Sequence, residues 1–421
     1  MKSVSLASDR HLSTASKPAL FDGLAQRGLL RQLEKLQSGS LLMLMDGQKH
    51  YFGEDIDTTS LQSSIEVLDP AFFAAVAFGG SIGAAESYMQ GHWRSNDLVS
   101  LVQLLLRNRS VLEGMEGGAA RLSAPIQKLF HWINRNSREG AKRNISAHYD
   151  LGNEFFSLWL DETMMYSSAI FSDTNMSLYE AQVARLDHIC NKLDLRPEDH
   201  LLEIGTGWGG LAIYAAEQIG CRVTTTTISE QQFDLAEKRV LEAGLEGQVT
   251  VLRQDFRDLE GQYDKLVSIE MIEAIDENLY VPYFRKCAEL LKPDGMMLIQ
   301  AITMADQRYD EYRKSIDFIQ RYIFPGSRLP SSAVMSHTVA TETDMRLLNL
   351  EDIGLHYATT LSHWRQNFFN KIEKVRELGY PETFIRMWEF YLCYCEAAFL
   401  ERAISDVQMV FARPENRATL V

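Results

Sequence analysis

The run Leu202-Glu203-Ile204-Gly205-Thr206-Gly207-Trp208-Gly209-Gly210 constrains the fold more than any other stretch, because an apolar strand there ends in glycines and opens directly into a helix. Glycines at such a turn let backbone amides and the helix N-terminus approach a bound group closely. The sequence around it alternates in period. Leu201 to Ile204 reads as a strand, Leu211 to Gln218 as a helix, Arg222 to Ile228 as a β-branched strand and Gln231 to Ala243 as a helix. Val249 to Leu252 and Leu266 to Ile269 read as further strands, and a turn at Lys292 to Gly295 leads into the strand Met296 to Ala301. Strands alternating with helices of this length predict an α/β fold with a parallel sheet covered on both faces.

With 421 residues, 46% of them hydrophobic, the chain is long enough for two domains. Residues 21–110 mix short apolar runs such as Leu41 to Met45 with helical spacing from Asp97 to Leu106, which predicts a small α+β domain behind a loose, Ser-rich tail at 1–20. Residues 111–143 read as a charged linker carrying one amphipathic segment, Ile126 to Ile133, and residues 144–421 as the catalytic domain. The longest weakly polar stretch, Ala71 to Ala85, is interrupted by Gly79, Gly80 and Gly83 and falls short of the roughly 20 apolar residues that a membrane span needs. A soluble cytoplasmic protein is therefore expected. The five cysteines lack paired metal-site spacing, so no metal is implied. A net charge of −15 argues against a nucleic-acid partner. Between Arg107 and Arg143, eight Lys/Arg stand against three Glu, a local positive excess that suits either a solvated linker or a membrane-facing patch.

Gly205, Gly207 and Gly210 also satisfy the dinucleotide spacing G-x-G-x-x-G, so a nicotinamide-dependent oxidoreductase has to be weighed. That fold places an acid at the end of its second strand, whereas this strand runs into Thr225-Thr226-Thr227-Ile228-Ser229, with Glu230 only in the following turn. Glu203, two residues ahead of the first glycine, makes the loop resemble the first motif of S-adenosylmethionine (SAM)-dependent methyltransferases. Gln254-Asp255-Phe256 and Val267-Ser268-Ile269-Glu270-Met271-Ile272-Glu273 follow at matching places. Alone, Asp255 reads equally well as a helix N-cap and Phe256 as a core aromatic.

Several separate segments resemble the cyclopropane fatty acid synthase family, which adds a methylene bridge across acyl double bonds in phospholipids. They are Glu86-Ser87-Tyr88-Met89-Gln90-Gly91-His92-Trp93, His148 through Phe156, Met165-Tyr166-Ser167-Ser168-Ala169, Tyr309 through Arg313 and Asp317 through Gly326. The resemblance implies a Rossmann-like SAM-dependent methyltransferase sheet with a helical cap and an acyl tunnel. The N-terminal domain would present lipid or mediate dimer contacts, so that a homodimer acts on phospholipid acyl chains, peripheral to the inner face of the membrane. It assigns Tyr166 and Ser167 to the methionine end of SAM, Glu203, Gly205 and Gly207 to the loop contact, Thr227 and Gln232 to the ribose, and Asp255 with Phe256 to adenine. In that chemistry an alkene attacks the sulfonium methyl group, and the resulting cation needs a dry aromatic pocket, suiting Tyr149, Phe171, Tyr322 and Phe324, and a base. The family's base is a bound bicarbonate. The resemblance places it against Glu273, Tyr322 and the backbone at Ile269, with Ser168 and Gln300 standing where many members carry Cys and His. Both replacements still donate hydrogen bonds to an anion. They leave room for a C-methyltransferase giving a methyl-branched or methylated unsaturated chain, and for a lipid-binding relative without catalysis. The stripe Trp388, Tyr391, Cys395 and Phe399 within Phe384 to Val407 reads as a helix that packs the core or lines the tunnel.

Overall fold

The computed structural model describes residues 19–54, 61–116 and 151–417. Most of the predicted tail, the linker from 117 onward with Ile126 to Ile133, and both His148 and Tyr149 lie outside the described residues.

Four strands, β1 (Gly39–Met45), β2 (Gln48–Glu54), β3 (Gln62–Val67) and β4 (Trp93–Ser95), form a sheet in the order β2-β1-β3-β4. In β1 the alternate residues Leu41, Met43 and Met45 are buried, as a strand with one covered face requires. The helix Leu98–Arg107 starts where the Asp97 carboxylate accepts the Ser100 N–H at 3.1 Å, and it buries Leu98, Leu101 and Val102 at helical spacing. The weakly polar stretch becomes a helix, Ala71–Met89, kinked at Gly80.

The second sheet contains β5 (His200–Ile204), β6 (Arg222–Thr227), β7 (Val249–Arg253), β8 (Tyr263–Ile269), β9 (Leu291–Met304), β10 (Arg346–Asp352) and β11 (Ile404–Ala412) in the order β10-β11-β9-β8-β5-β6-β7. Strands β5 to β9 pair in parallel, but β11 runs antiparallel to both neighbours, so the sheet is mixed at one edge. The cause is the helix Glu382–Leu400, which ends beside the carboxyl edge, so the chain re-enters the sheet from that side at Ile404, opposite Met304. The predicted C-terminal helix accordingly stops at Leu400, and Val407 is a strand residue. Lys292 to Gly295 is an excursion within β9, where pairing jumps from Tyr263/Leu291 to Lys265/Met296.

Strand β5 is paired with β6 on one side and β8 on the other, so the order reverses there and a crevice opens beyond their carboxyl ends. The N-terminal layer closes over that crevice. Leu101 and Val102 share one apolar cluster with Phe155, Trp388 and Tyr391 of the cap. The Tyr88 hydroxyl donates to Glu389 at 2.6 Å across the same junction.

Candidate active site

The glycine loop sits at the crevice in a conformation that a side chain resists, with φ of 106° at Gly205 and 52° at Gly207. The N–H groups of Gly205 and Thr206 donate to the Thr226 carbonyl at 3.0 and 2.9 Å, which ties the loop to β6. At Gly210 a Cβ would fall 2.5 Å from Met165 Sδ and 2.7 Å from the Thr163 carbonyl, so the segment before Tyr166 packs directly on the start of the helix. The Trp208 indole N–H donates to Asn153 Oδ1 at 2.7 Å, while Phe155 and Phe156 are buried among aromatic rings. This is the physical content of the segment ending at Phe156.

One cavity of about 710 Å³ is lined by Tyr166, Ser167, Glu203, Gly205, Gly207, Thr227, Gln232, Asp255 and Phe256. The structure therefore brings together all the residues assigned to SAM. Glu203 accepts the Thr225 hydroxyl at 2.6 Å, and burial pushes its carboxyl up to about 8. The Thr227 hydroxyl donates to Gln232 Oε1 at 2.9 Å, and Asp255 pairs with Arg257 at 2.6 Å beside the buried Phe256 ring. The Tyr166 and Tyr391 hydroxyls lie 2.8 Å apart. Ser167 Oγ is buried and has no hydrogen-bond partner among the described residues. A bare backbone cradle with an orphaned hydroxyl across the cavity fits the polar methionine end of SAM.

Where β8 ends, a cluster of carboxyls faces the same cavity. Glu273 stands on the 3-10 turn Ile272–Ala274 and accepts the Ile302 N–H through Oε1, while its buried Oε2 has no partner among the described residues. Burial, reinforced by the neighbouring Glu270 charge, pushes the Glu273 carboxyl up to about 8. Glu270 Oε1 accepts the Ser168 N–H and the Gln300 Nε2 amide, both at 2.9 Å, and its Oε2 accepts the Tyr357 hydroxyl at 2.7 Å. Behind them, Gln300 Nε2 also donates to Asp406 at 2.9 Å, and Gln408 donates to Gln300 Oε1 at 3.1 Å, which fixes the amide orientation. The Arg185 guanidinium, fully buried, is the nearby countercharge that opposes the upward shifts of Glu270 and Asp406. Burial, then the charges of Glu270 and Glu273, holds Asp406 well above the usual carboxylate range. Burial raises Glu270 too, and its three donors and Arg185 oppose the shift.

Several expectations need correction. The Tyr322 hydroxyl donates to Glu86 of the N-terminal layer, where Arg321 also pairs at 2.8 Å, so it meets the domain junction rather than the carboxyls. The tyrosine at the carboxyls is Tyr357, on the helix Gly354–Asn370. The Ile302 N–H of β9 donates to Glu273, while Ile269, expected to offer its backbone to a bound anion, lines the cavity wall. Ser168 and Gln300 are fully buried and meet Glu270 rather than the cavity, and the Ser168 hydroxyl turns to the Ala169 carbonyl at 3.1 Å. Phe324 lines the cavity, whereas Phe171 stacks on His363, 5.3 Å between ring centres. Sequence reasoning missed Glu270 and Tyr357. For Tyr357 a signal existed, since Tyr357, Thr360, Leu361 and Trp364 form a buried stripe at helical spacing.

The family model of mycolic acid cyclopropane synthetases matches residues 136–409. The chain is 37% identical over 352 residues to a tuberculostearic acid methyltransferase of Mycobacterium tuberculosis, spanning 79% of each. It is 36% identical over 360 residues to the cyclopropane-fatty-acyl-phospholipid synthase of Escherichia coli, spanning 84% of this chain and 89% of that one. A crystal structure of a mycolic acid cyclopropane synthase complexed with SAH and CTAB superposes with a TM-score of 0.60 at 29% identity, covering 64% of this chain and 98% of the other. The nicotinamide alternative falls with these findings. The chain belongs to the mycolic acid cyclopropane synthetase family and is a SAM-dependent methyltransferase that acts on lipid.

Proposed function

We propose that this enzyme transfers the methyl carbon of SAM to the double bond of an unsaturated phospholipid acyl chain at the membrane surface and closes a cyclopropane ring there. The observation that carries the reading is the continuity of the cavity. From the glycine loop and the carboxyls it extends between Phe324, Tyr391 and Phe399 to Leu101, Leu105 and Met115 of the N-terminal layer, an apolar path suited to a hydrocarbon chain. Arg109 and Arg308 also line it. Arg308 Nε is buried without a partner among the described residues, and burial with the adjacent Arg109 charge holds its guanidinium below its ordinary value. Glu113, which pairs with Arg109 at 3.8 Å, and Glu311 line the same cavity, so the unpartnered Arg308 Nε is the group that suits the phosphate of a lipid headgroup.

SAM supplies an electrophilic methyl group. The residues of the chain do the rest: Tyr166 and Ser167 hold the methionine end, Thr227 and Gln232 the ribose, and Asp255 with Phe256 the adenine. Phe324, Tyr357, Tyr391 and Phe399 exclude water and offer π faces to the cation that forms on the acyl chain. A second reading, formation of a methyl-branched or methylated unsaturated chain, is favoured by the 37% identity to the tuberculostearic acid methyltransferase. A separate bicarbonate does not fit these residues, because the donors expected to hold it, at Ser168 and Gln300, are engaged by the Glu270 carboxylate.

Incubation of the enzyme with SAM and vesicles of monounsaturated phospholipid, followed by mass spectrometry of the lipid, tests the proposal. One added CH₂ unit is expected, with NMR distinguishing ring from branch. Unchanged lipid from protein that binds SAM would overturn it.

A further inference from the structure

The backbone at Glu270 has φ of 48°, in the left-handed region that favours glycine over a residue with a side chain. The side chain that takes the position spans the site boundary: it lines the cavity while its two oxygens accept from Ser168 N–H, Gln300 Nε2 and the Tyr357 hydroxyl. Those groups come from three separate elements, the segment after Tyr166, strand β9 and the helix Gly354–Asn370, and all converge on one carboxylate. Two of them are the residues that the family resemblance assigns to an exogenous anion. Glu273, 3 residues further on, presents its own carboxyl to the same space and is held by the Ile302 N–H.

We infer that the Glu270 carboxylate is a built-in base, occupying the place of a bound bicarbonate and making turnover independent of that ion. The inference rests on the proposed transfer to an acyl double bond. In the balanced step, the alkene π pair forms the new C–C bond to the sulfonium methyl carbon, and the S–C bond breaks with its electron pair going to sulfur. The cation is left on the adjacent chain carbon. A C–H bond of the transferred methyl group then gives its proton to a Glu270 oxygen, and the electron pair of that bond closes the ring. The carboxylate becomes a carboxylic acid and no further reactant is consumed. In the branched outcome the same oxygen takes a proton from a carbon next to the cation, and the pair forms a double bond. Tyr357 is a positioning residue: its hydroxyl, donating to Oε2 at 2.7 Å, holds the carboxylate at the cavity wall. Removing a general base of this kind lowers turnover 10²–10⁴-fold.

Glu270→Gly separates the possibilities, because glycine relieves the backbone and opens the anion slot. In bicarbonate-free buffer the wild-type enzyme should turn over at its full rate. The Glu270→Gly enzyme should lose at least 100-fold and regain activity as bicarbonate is added. Independently of turnover, saturation-transfer NMR with ¹³C-bicarbonate in the presence of S-adenosylhomocysteine should show no binding to wild type and clear binding to Glu270→Gly. Bicarbonate binding to wild type, or full activity of Glu270→Gly in bicarbonate-free buffer, would overturn the inference. If neither protein alters unsaturated lipid while both bind S-adenosylhomocysteine, the substrate reading fails, and the NMR result alone decides whether Glu270 fills the anion slot.

Discussion

Glu203 and Glu273 hold protons near neutral pH, and that has a cost readable in the stability of the enzyme. Glu203 and Glu273 are both buried and both pushed up to about 8, with burial the first cause in each case. The sign follows from linkage. Below about 4.5 both groups are protonated folded or unfolded, and between there and about 8 the unfolded chain releases protons that the folded chain retains. Stability should therefore fall as pH rises through that window, by on the order of 1 kcal/mol per pH unit per group. Chemical denaturation of the SAM-free enzyme between these limits checks it: Glu203→Gln or Glu273→Gln should flatten the slope, and an unchanged slope would place the protons elsewhere. Tyr357→Phe removes one donor to Glu270 without altering shape. A hydrogen bond to a charged group is worth about 1.5–3 kcal/mol, so turnover should fall roughly 10- to 100-fold with SAM affinity retained. Loss of SAM affinity in steady-state binding would show that the hydroxyl serves the cofactor instead.

The strand, turn and helix elements around the loop depend on close approach as much as on hydrogen bonds. Gly210→Ala would drive a methyl group into Met165 Sδ and the Thr163 carbonyl, an overpacking of about 1–3 kcal/mol, and should lower both the melting temperature and the affinity for S-adenosylhomocysteine. Tyr322→Phe loses the hydroxyl bond to Glu86 at the domain junction and should cost about 1–3 kcal/mol of stability while turnover stays within about threefold of wild type. A 100-fold loss of turnover would return Tyr322 to the site. This contrast shows what the sequence could convey. Strands β5 to β8 and the glycine loop were legible because period and glycine placement are local signals. The roles of Tyr322, Ser168 and Gln300 were not, because they depend on which side of an element faces the crevice. Glu270 lay within a motif already singled out, but its left-handed φ and its three donors from distant segments exist only after folding.

For the molecule as a whole, the N-terminal layer and the cap share one apolar cluster, so the cavity wall is built from both, and neither completes the tunnel alone. Among the described residues no helix is long and apolar enough to cross a membrane. Arg308 marks the place where the apolar path meets charge, with its Nε unpartnered among the described residues. If a headgroup phosphate is bound there, Arg308→Gln should raise KM for phospholipid vesicles at least tenfold, the effect of losing about 1.5–3 kcal/mol, with kcat little changed. The methyl ester of the same unsaturated fatty acid, which carries no phosphate, should show the same KM with wild type and variant. An equal rise for both substrates would mean that Arg308 shapes the tunnel wall and that the headgroup is bound elsewhere.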